Sequence, residues 1–242
     1  MKKLINYLIL LSPLVLATCG ADTTQDNVDL ESGLVLYFPF NGNADDVSGY
    51  GNHGIVQDAV LVQDRFGNTD SAYSFDGDGD YIDFPAIAGD ELSSTDAVSI
   101  SVWIKTDTVA EEKHVVDRLE TADGYGLVVD ESGYARFSIN GGSARAISSI
   151  TVDGNEWHHI VGCYDKNAGG TEELKIYVDG VLHGTEDYSI LIDYTPEPRS
   201  EIGIREPDLE NDFNGIIDDI RIYSRALNTA EVAALFTETS TN

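Results

Sequence analysis

The chain has 242 residues, 42% of them hydrophobic, and sets 14 basic against 43 acidic side chains for a net charge of −29. That length suits one all-β domain, because sandwiches and barrels run to about 200–250 residues as a single unit. The acidic excess argues against nucleic acid or an anionic membrane surface as partner, since both require a basic patch. It is compatible with cation binding and with a saline habitat.

The first element reads as an address. Met1, Lys2 and Lys3 form a short positive region, and Leu4–Leu16 is apolar apart from Asn6, Tyr7, Ser12 and Pro13. The stretch is too short for a membrane span of about 20 residues and reads as a secretory signal over residues 1–18. It ends in LATC, which puts Cys19 where a bacterial lipoprotein signal places its lipidated cysteine, although Thr18 departs from the small residue preferred there. The expectation is an exported, membrane-anchored lipoprotein; the alternative is cleavage near Ala21 and a soluble secreted protein. Residues 19–32 are small and polar, a tether without periodicity. The globular domain is expected over 33–238. With Cys19 lipidated, Cys163 has no partner, and its apolar context (HHIVGCYD) marks a small buried hydrophobe rather than half of a disulfide.

From Leu34 onward the signals are those of strands. Leu34–Asp83 alternates apolar runs with loops dense in Gly, Asn and Asp, which suit a hard cation or a hydroxylated ligand. Further on, Val98, Ile100, Val102 and Ile104 alternate with Ser99, Ser101, Trp103 and Lys105, and Leu174, Ile176 and Val178 alternate with Lys175, Tyr177 and Asp179. Period two means that each strand buries one face. Turn signals such as Asp123-Gly124, Asn140-Gly141-Gly142 and Asp179-Gly180 fall between the runs, as in an antiparallel sandwich. Two segments read as helical: a single turn over Asp90–Asp96, and Asn228–Phe236, capped by Asn228 or Thr229 with Glu231 in its first turn.

LVLYFPFNGNADDVSGYGNHG, SAYSFDGDGDYIDFP, VSISVWIK, NEWHHIVGCYD, LKIYVDGVLHGT and FNGIIDDIRIYSRALNTAEVAALF follow one another in the chain. In that order they resemble the markers of laminin-G-like jelly-roll domains, in the concanavalin A-like lectin and glucanase superfamily. The resemblance covers about Leu34 to Phe236. It implies an all-β, two-sheet antiparallel jelly-roll sandwich with a short C-terminal helix, the first and last strands being adjacent. It also implies a binding module, often for glycan and often holding calcium.

Calcium takes six to eight oxygens, some of them backbone carbonyls. NADDVS at 43–48, DGDGD at 76–80 and Asp218-Asp219 offer them. The family pattern places a structural calcium where the N-terminal loops meet the last strand, which makes Asp46, Asn52, Asp76 and Asp218 its candidate ligands. The bland reading is that Asp46 and Asp76 cap turns. DGDGDY is not an EF-hand loop, because Tyr81 stands where the sharp turn needs glycine.

Glucanases of this superfamily carry Glu, one residue, Asp, two residues, Glu on a single strand. Asp117 and Glu120 have that spacing here, but Val115 holds the nucleophile position and has no carboxylate to attack with. His158 and His159 are neighbours on a strand, point to opposite faces and cannot chelate one metal. No HExxH, GxSxG or phosphate-loop motif occurs.

Sugar recognition needs aromatic faces flanked by polar groups. Tyr134, Arg136, Tyr188 and Tyr194 are the candidates; Trp103 is read as covered packing. The expected function is a non-catalytic, calcium-stabilised surface module that binds a glycan. An adhesion protein binding another protein is the alternative, and a polysaccharide-cleaving enzyme the third reading.

Overall fold

The computed structural model describes residues 28–85, 90–120, 123–195, 199–205 and 211–239, so the signal, Cys19 and most of the tether lie outside the described residues. Among the described residues, fifteen strands precede one helix. In chain order they are β1 (Leu34–Phe38), β2 (Ile55–Gln57), β3 (Val60–Val62), β4 (Ala72–Asp76) and β5 (Tyr81–Asp83). There follow β6 (Ala97–Thr106), β7 (Lys113–Glu120), β8 (Asp123–Val129), β9 (Tyr134–Ile139) and β10 (Ala144–Thr151). The last are β11 (Trp157–Asp165), β12 (Leu174–Val178), β13 (Val181–Glu186), β14 (Glu201–Ile202), β15 (Asn214–Tyr223) and α1 (Thr229–Phe236).

The strands form two antiparallel sheets. One runs β13-β12-β11-β6-β15-β4-β3, with β1 also on β15, and the other runs β10-β9-β8-β7-β14-β5-β2. The first and last strands are adjacent, Phe38 facing Ile220, as the jelly-roll pattern requires. Between the sheets lies one core. Val98, Ile100, Val102 and Ile104 enter it from β6, and Leu127, Val129, Phe137 and Ile139 from the facing sheet. Gly162 of β11 is a point of contact between layers: a Cβ there would come within 2.5 Å of the Phe137 ring, so only glycine fits.

The other face of β6 is also buried. Ser101 and Trp103 are 2% and 9% exposed, because α1 covers that side of the eight-stranded sheet. Trp103 stacks on Phe236 at the helix end, with ring centroids 5.8 Å apart. Val232 and Leu235 of α1 join Val161, Cys163 and Tyr177 in a second cluster. The helix starts at a capping box: the Asn228 side chain accepts from the Glu231 N–H, and Glu231 accepts from the Asn228 N–H. Asp90–Asp96, read as a helical turn, is turn and bend instead. Asp90 and Ser93 use their side chains on the Arg118 guanidinium, which fixes the segment by side-chain bonding rather than by a helical backbone. Among the described residues, no helix is long and apolar enough to cross a membrane.

Candidate binding site

Two candidate surfaces lie on opposite sides of the sandwich. The first is a cavity of about 360 Å³ at the edge of the covered sheet, lined by Tyr37, Pro39, Asn41, Asp64, Arg65, Phe66, Asp218, Asp219, Arg221, Thr237, Glu238 and Thr239. It exists because β15 is interrupted. The strand pairs with β4 up to Ile217 and with β1 from Ile220, and between them the backbone bulges, with Asp219 at a φ of +50°. Two adjacent acids thereby face the same gap.

Arg65, from the β3–β4 loop, fills the gap and clamps both acids, Nη1 on Asp218 and Nη2 on Asp219, each at 2.5 Å. Its guanidinium lies 4.6 Å from the Trp103 ring centre and 4.3 Å from that of Phe66. Asp219 also accepts from the Tyr37 hydroxyl at 2.9 Å, and that hydroxyl accepts from Arg221 at 2.8 Å. Arg221 reaches on to Glu238 at 2.8 Å. Burial, then the charge of Asp219, pushes the Asp218 carboxyl up to about 8, against the pull of Arg65. Phe66, by contrast, is 44% exposed and presents a ring to solvent beside these polar groups.

The four expected calcium ligands are not gathered into one set. Asp46 sits on the free edge of β1. Its Oδ1 accepts from the N–H groups of Tyr37 and Ser48, and its Oδ2 from the Ser48 hydroxyl and the Asn52 N–H. Those donors hold its carboxyl below the usual range despite burial. Asn52 donates its side chain to the Val35 carbonyl and to Glu91. Asp218 lies on β15, the strand beyond β1, committed to Arg65. Asp76 ends β4, where it accepts from the Asp78 N–H in the hairpin loop. Among the described residues, no three His, Cys, Asp or Glu side chains converge as a metal site would need. The four residues thus do not fit one calcium ion, and turn capping accounts for Asp46 and Asp76.

The four expected glycan-contacting residues are also dispersed. Tyr194 packs edge-on against Tyr125, lies over Arg118 and donates its hydroxyl to the Ser94 carbonyl at 2.8 Å. Tyr188 lies against Tyr164 and accepts from Asn140. Only Tyr134 and Arg136, two residues apart on β9, share a face: the outer face of the seven-stranded sheet.

That face is the second surface. Asp117, Gly126, Ser138 and Arg145 stand in register across β7, β8, β9 and β10, and His114, Val128, Arg136 and Ile147 form the neighbouring row. His114 and Asp117 share the face because β7 bulges at Val115, so that Val115 and Val116 both enter the core. The position that would hold the glucanase nucleophile is therefore a fully buried valine. His114 Nδ1 lies 2.6 Å from Asp117 Oδ2 without the angle of a hydrogen bond, and its Nε2 lies 3.5 Å from Glu112. Burial alone would lower the His114 pKa, but the two carboxylates raise it. Of the histidine pair, His158 meets the Asp179 side chain and His159 meets Ser101 beneath the helix; buried and near Arg65, His159 is depressed to about 3. Cys163, 2% exposed, has its thiol raised to about 11 by burial.

Residues 76–233 match a family model described as the concanavalin A-like lectin/glucanases superfamily. The chain belongs to that superfamily. Among its solved relatives is domain 4 of AbnA, an extracellular arabinanase of Geobacillus stearothermophilus, in complex with arabinotriose. It superposes with a TM-score of 0.66 at 18% identity, covering 85% of this chain and 99% of that one. The binding domain of Paraclostridial Mosquitocidal Protein 1 gives 0.68 at 20%, covering 86% and 52%. The binding domain of botulinum neurotoxin DC with rat synaptotagmin II gives 0.66 at 17%, covering 86% and 52%. The chain spans about half of each toxin domain. At these identities the likeness shows the superfamily fold alone. No curated protein matches the chain.

The Arg65 clamp was beyond sequence reasoning, which singled out Asp218 but not its partner 153 positions away. The bulge in β7 had one signal, the adjacent apolar pair Val115-Val116 that breaks period two.

Proposed function

We propose that the chain is a non-catalytic glycan-binding module whose ligand docks in the cavity beside Arg65. The observation that carries this reading is the exposed Phe66 ring set next to Asp64, Asn41 and the Asp219–Arg221–Glu238 chain in a 360 Å³ hollow. An apolar face flanked by charged forks is what a sugar ring requires, with its C–H groups on one side and hydroxyls at the rim. Asp218 and Asp219 do not serve as a hydrolytic pair: one guanidinium clamps both, and Asp218 is 2% exposed. Two related folds support the class of partner, since AbnA domain 4 holds arabinotriose and a botulinum binding domain was obtained with SialylT. A protein partner is the second reading, favoured by the botulinum domain bound to synaptotagmin II.

A neutral glycan array followed by titration with arabinotriose tests the proposal. Binding in the micromolar to millimolar range is expected, about −4 to −8 kcal/mol for one shallow site. Phe66→Ala should abolish it without moving the melting temperature by more than a degree or two. Absence of any glycan ligand, or reducing ends released on incubation, overturns it. Export and a lipid anchor at Cys19 complete the proposal and rest on the N-terminal sequence. Mass spectrometry of natively expressed protein should find a diacylglyceryl group on a chain beginning at Cys19; a soluble product starting at Asp22 refutes the anchor.

A further inference from the structure

We propose that the open face of the seven-stranded sheet carries a second binding site, one for the carboxylate of a uronate residue in an acidic glycan. The site is a cavity of about 130 Å³ whose lining includes Arg136, Arg145, Arg205, Ser138, His114 and Leu119. Its origin is local. Gly126 contributes no side chain to the row between Asp117 and Ser138, and the Leu119 side chain takes its place, 2.8 Å from where a Cβ would stand; the hollow lies beside Leu119, where Gly141 and Gly142 add no side chains to its lining. The volume equals about four waters at their liquid share, enough for a carboxylate with the edge of its sugar ring.

Polar groups in this hollow are left open. Ser138 is 3% exposed, yet its hydroxyl has no hydrogen-bond partner among the described residues, and the buried Nε of Arg136 has none either. Native folds leave few buried polar atoms unpaired, and each unpaired one calls for an explanation. Arg145 is exposed on the next strand, its guanidinium packed against Gly142 with no ion pair among the described residues. Arg205, at 3.9 Å from Asp117, is only loosely held.

Charge selects the ligand. In a chain of net charge −29, three guanidiniums here face two carboxylates, Glu112 and Asp117. The balance is one positive charge with His114 neutral and two with it protonated. A planar carboxylate matches the guanidinium fork and also accepts from a hydroxyl, so it would satisfy Ser138 and Arg145 together. The protein's overall charge repels a polyanion at a distance, so binding should weaken at low ionic strength relative to a purely local attraction.

The test is calorimetric titration of the folded chain with digalacturonate, with its methyl ester and with inorganic sulfate. Digalacturonate should bind, and the ester at least tenfold more weakly. Arg145→Gln should weaken digalacturonate at least tenfold with an unchanged melting temperature, since Arg145 has no partner to lose. Ser138→Ala should weaken it severalfold while the melting temperature stays or rises, because an unpaired buried hydroxyl is removed. No binding of digalacturonate, equal binding of the ester, affinity unchanged in both variants, or sulfate competing as well as the uronate overturns the assignment. The site shares no residue with the cavity beside Arg65, so its failure leaves the arabinotriose result standing, and the reverse.

Discussion

The outer faces of the two sheets began with the same rule and ended differently. On β6 the outward residues Ser99, Ser101 and Trp103 lie under α1, and each finds a partner there: Ser99 the Arg225 carbonyl, Ser101 the His159 ring, Trp103 the Phe236 ring. On β7 to β10 no helix among the described residues covers the sheet, and Ser138 and Arg145 face a hollow with no hydrogen-bond or ion-pair partner among the described residues. The third layer does not pair everything it buries, since Arg65 Nε, His159 Nδ1 and the Tyr223 hydroxyl have no hydrogen-bond partner among the described residues, but it leaves them out of reach of a ligand. On the open face a hollow adjoins the unpaired groups, Ser138 Oγ and Arg136 Nε. That makes it the place where a ligand supplies the missing partners.

The largest effect is expected on the covered side. Arg65→Met removes the guanidinium that holds the largely buried Asp218 and Asp219 carboxyls, which should cost about 3–5 kcal/mol in denaturant unfolding. Adding Asp218→Asn and Asp219→Asn should recover part of it; no recovery would mean that Arg65 acts through its packing on Trp103 instead. Asp46→Ala comes next. It orphans the donors of Tyr37, Ser48 and Asn52, for a loss of about 2–3 kcal/mol, and the loss should be the same in chelator as in millimolar calcium. A loss seen only with calcium present would restore the metal.

Acid should separate the faces further. Glu112 is held at about 2 by His114, whose Nε2 lies 3.5 Å away, and then by Arg136, below its usual 4.5. A depressed carboxyl contributes stability that is complete above about 4.5 and is lost as pH falls through about 2. His114 is raised from 6.5, so its contribution is complete below 6.5 and fades as pH rises through the higher value. Melting temperature against pH should therefore be flatter in Glu112→Gln on the acid limb; an unchanged acid limb would remove Glu112 from the account. The smallest effect belongs to Tyr188→Phe, which forfeits one bond from Asn140, about 1 kcal/mol, with no change in glycan affinity. Loss of binding there would return Tyr188 to the ligand surface.

Much of the fold was legible because it rests on local rules. Period two on β6 and β12 identified strands, glycine-bearing turns separated them, and Asn228 with Glu231 announced the helix. The site was less legible, because side chains on loops are placed by what lies across from them. Tyr188 and Tyr194 look like surface aromatics in sequence, yet each is drawn inward by a partner far along the chain. Asp90–Asp96 looked helical, but the buried Arg118 claims its side chains.

By itself the sequence determined the all-β class, the capped terminal helix and the valine at position 115, since composition, spacing and identity need no partner strand. Only the tertiary structure decided that Val115 bulges and turns His114 and Asp117 to one face, because bulging depends on the register with β8. Likewise it alone joined Arg65 to Asp218 and Asp219, whose gap opens where β15 passes from β4 to β1. Pairing across the sandwich is a property of long-range contacts, and no local pattern encodes them.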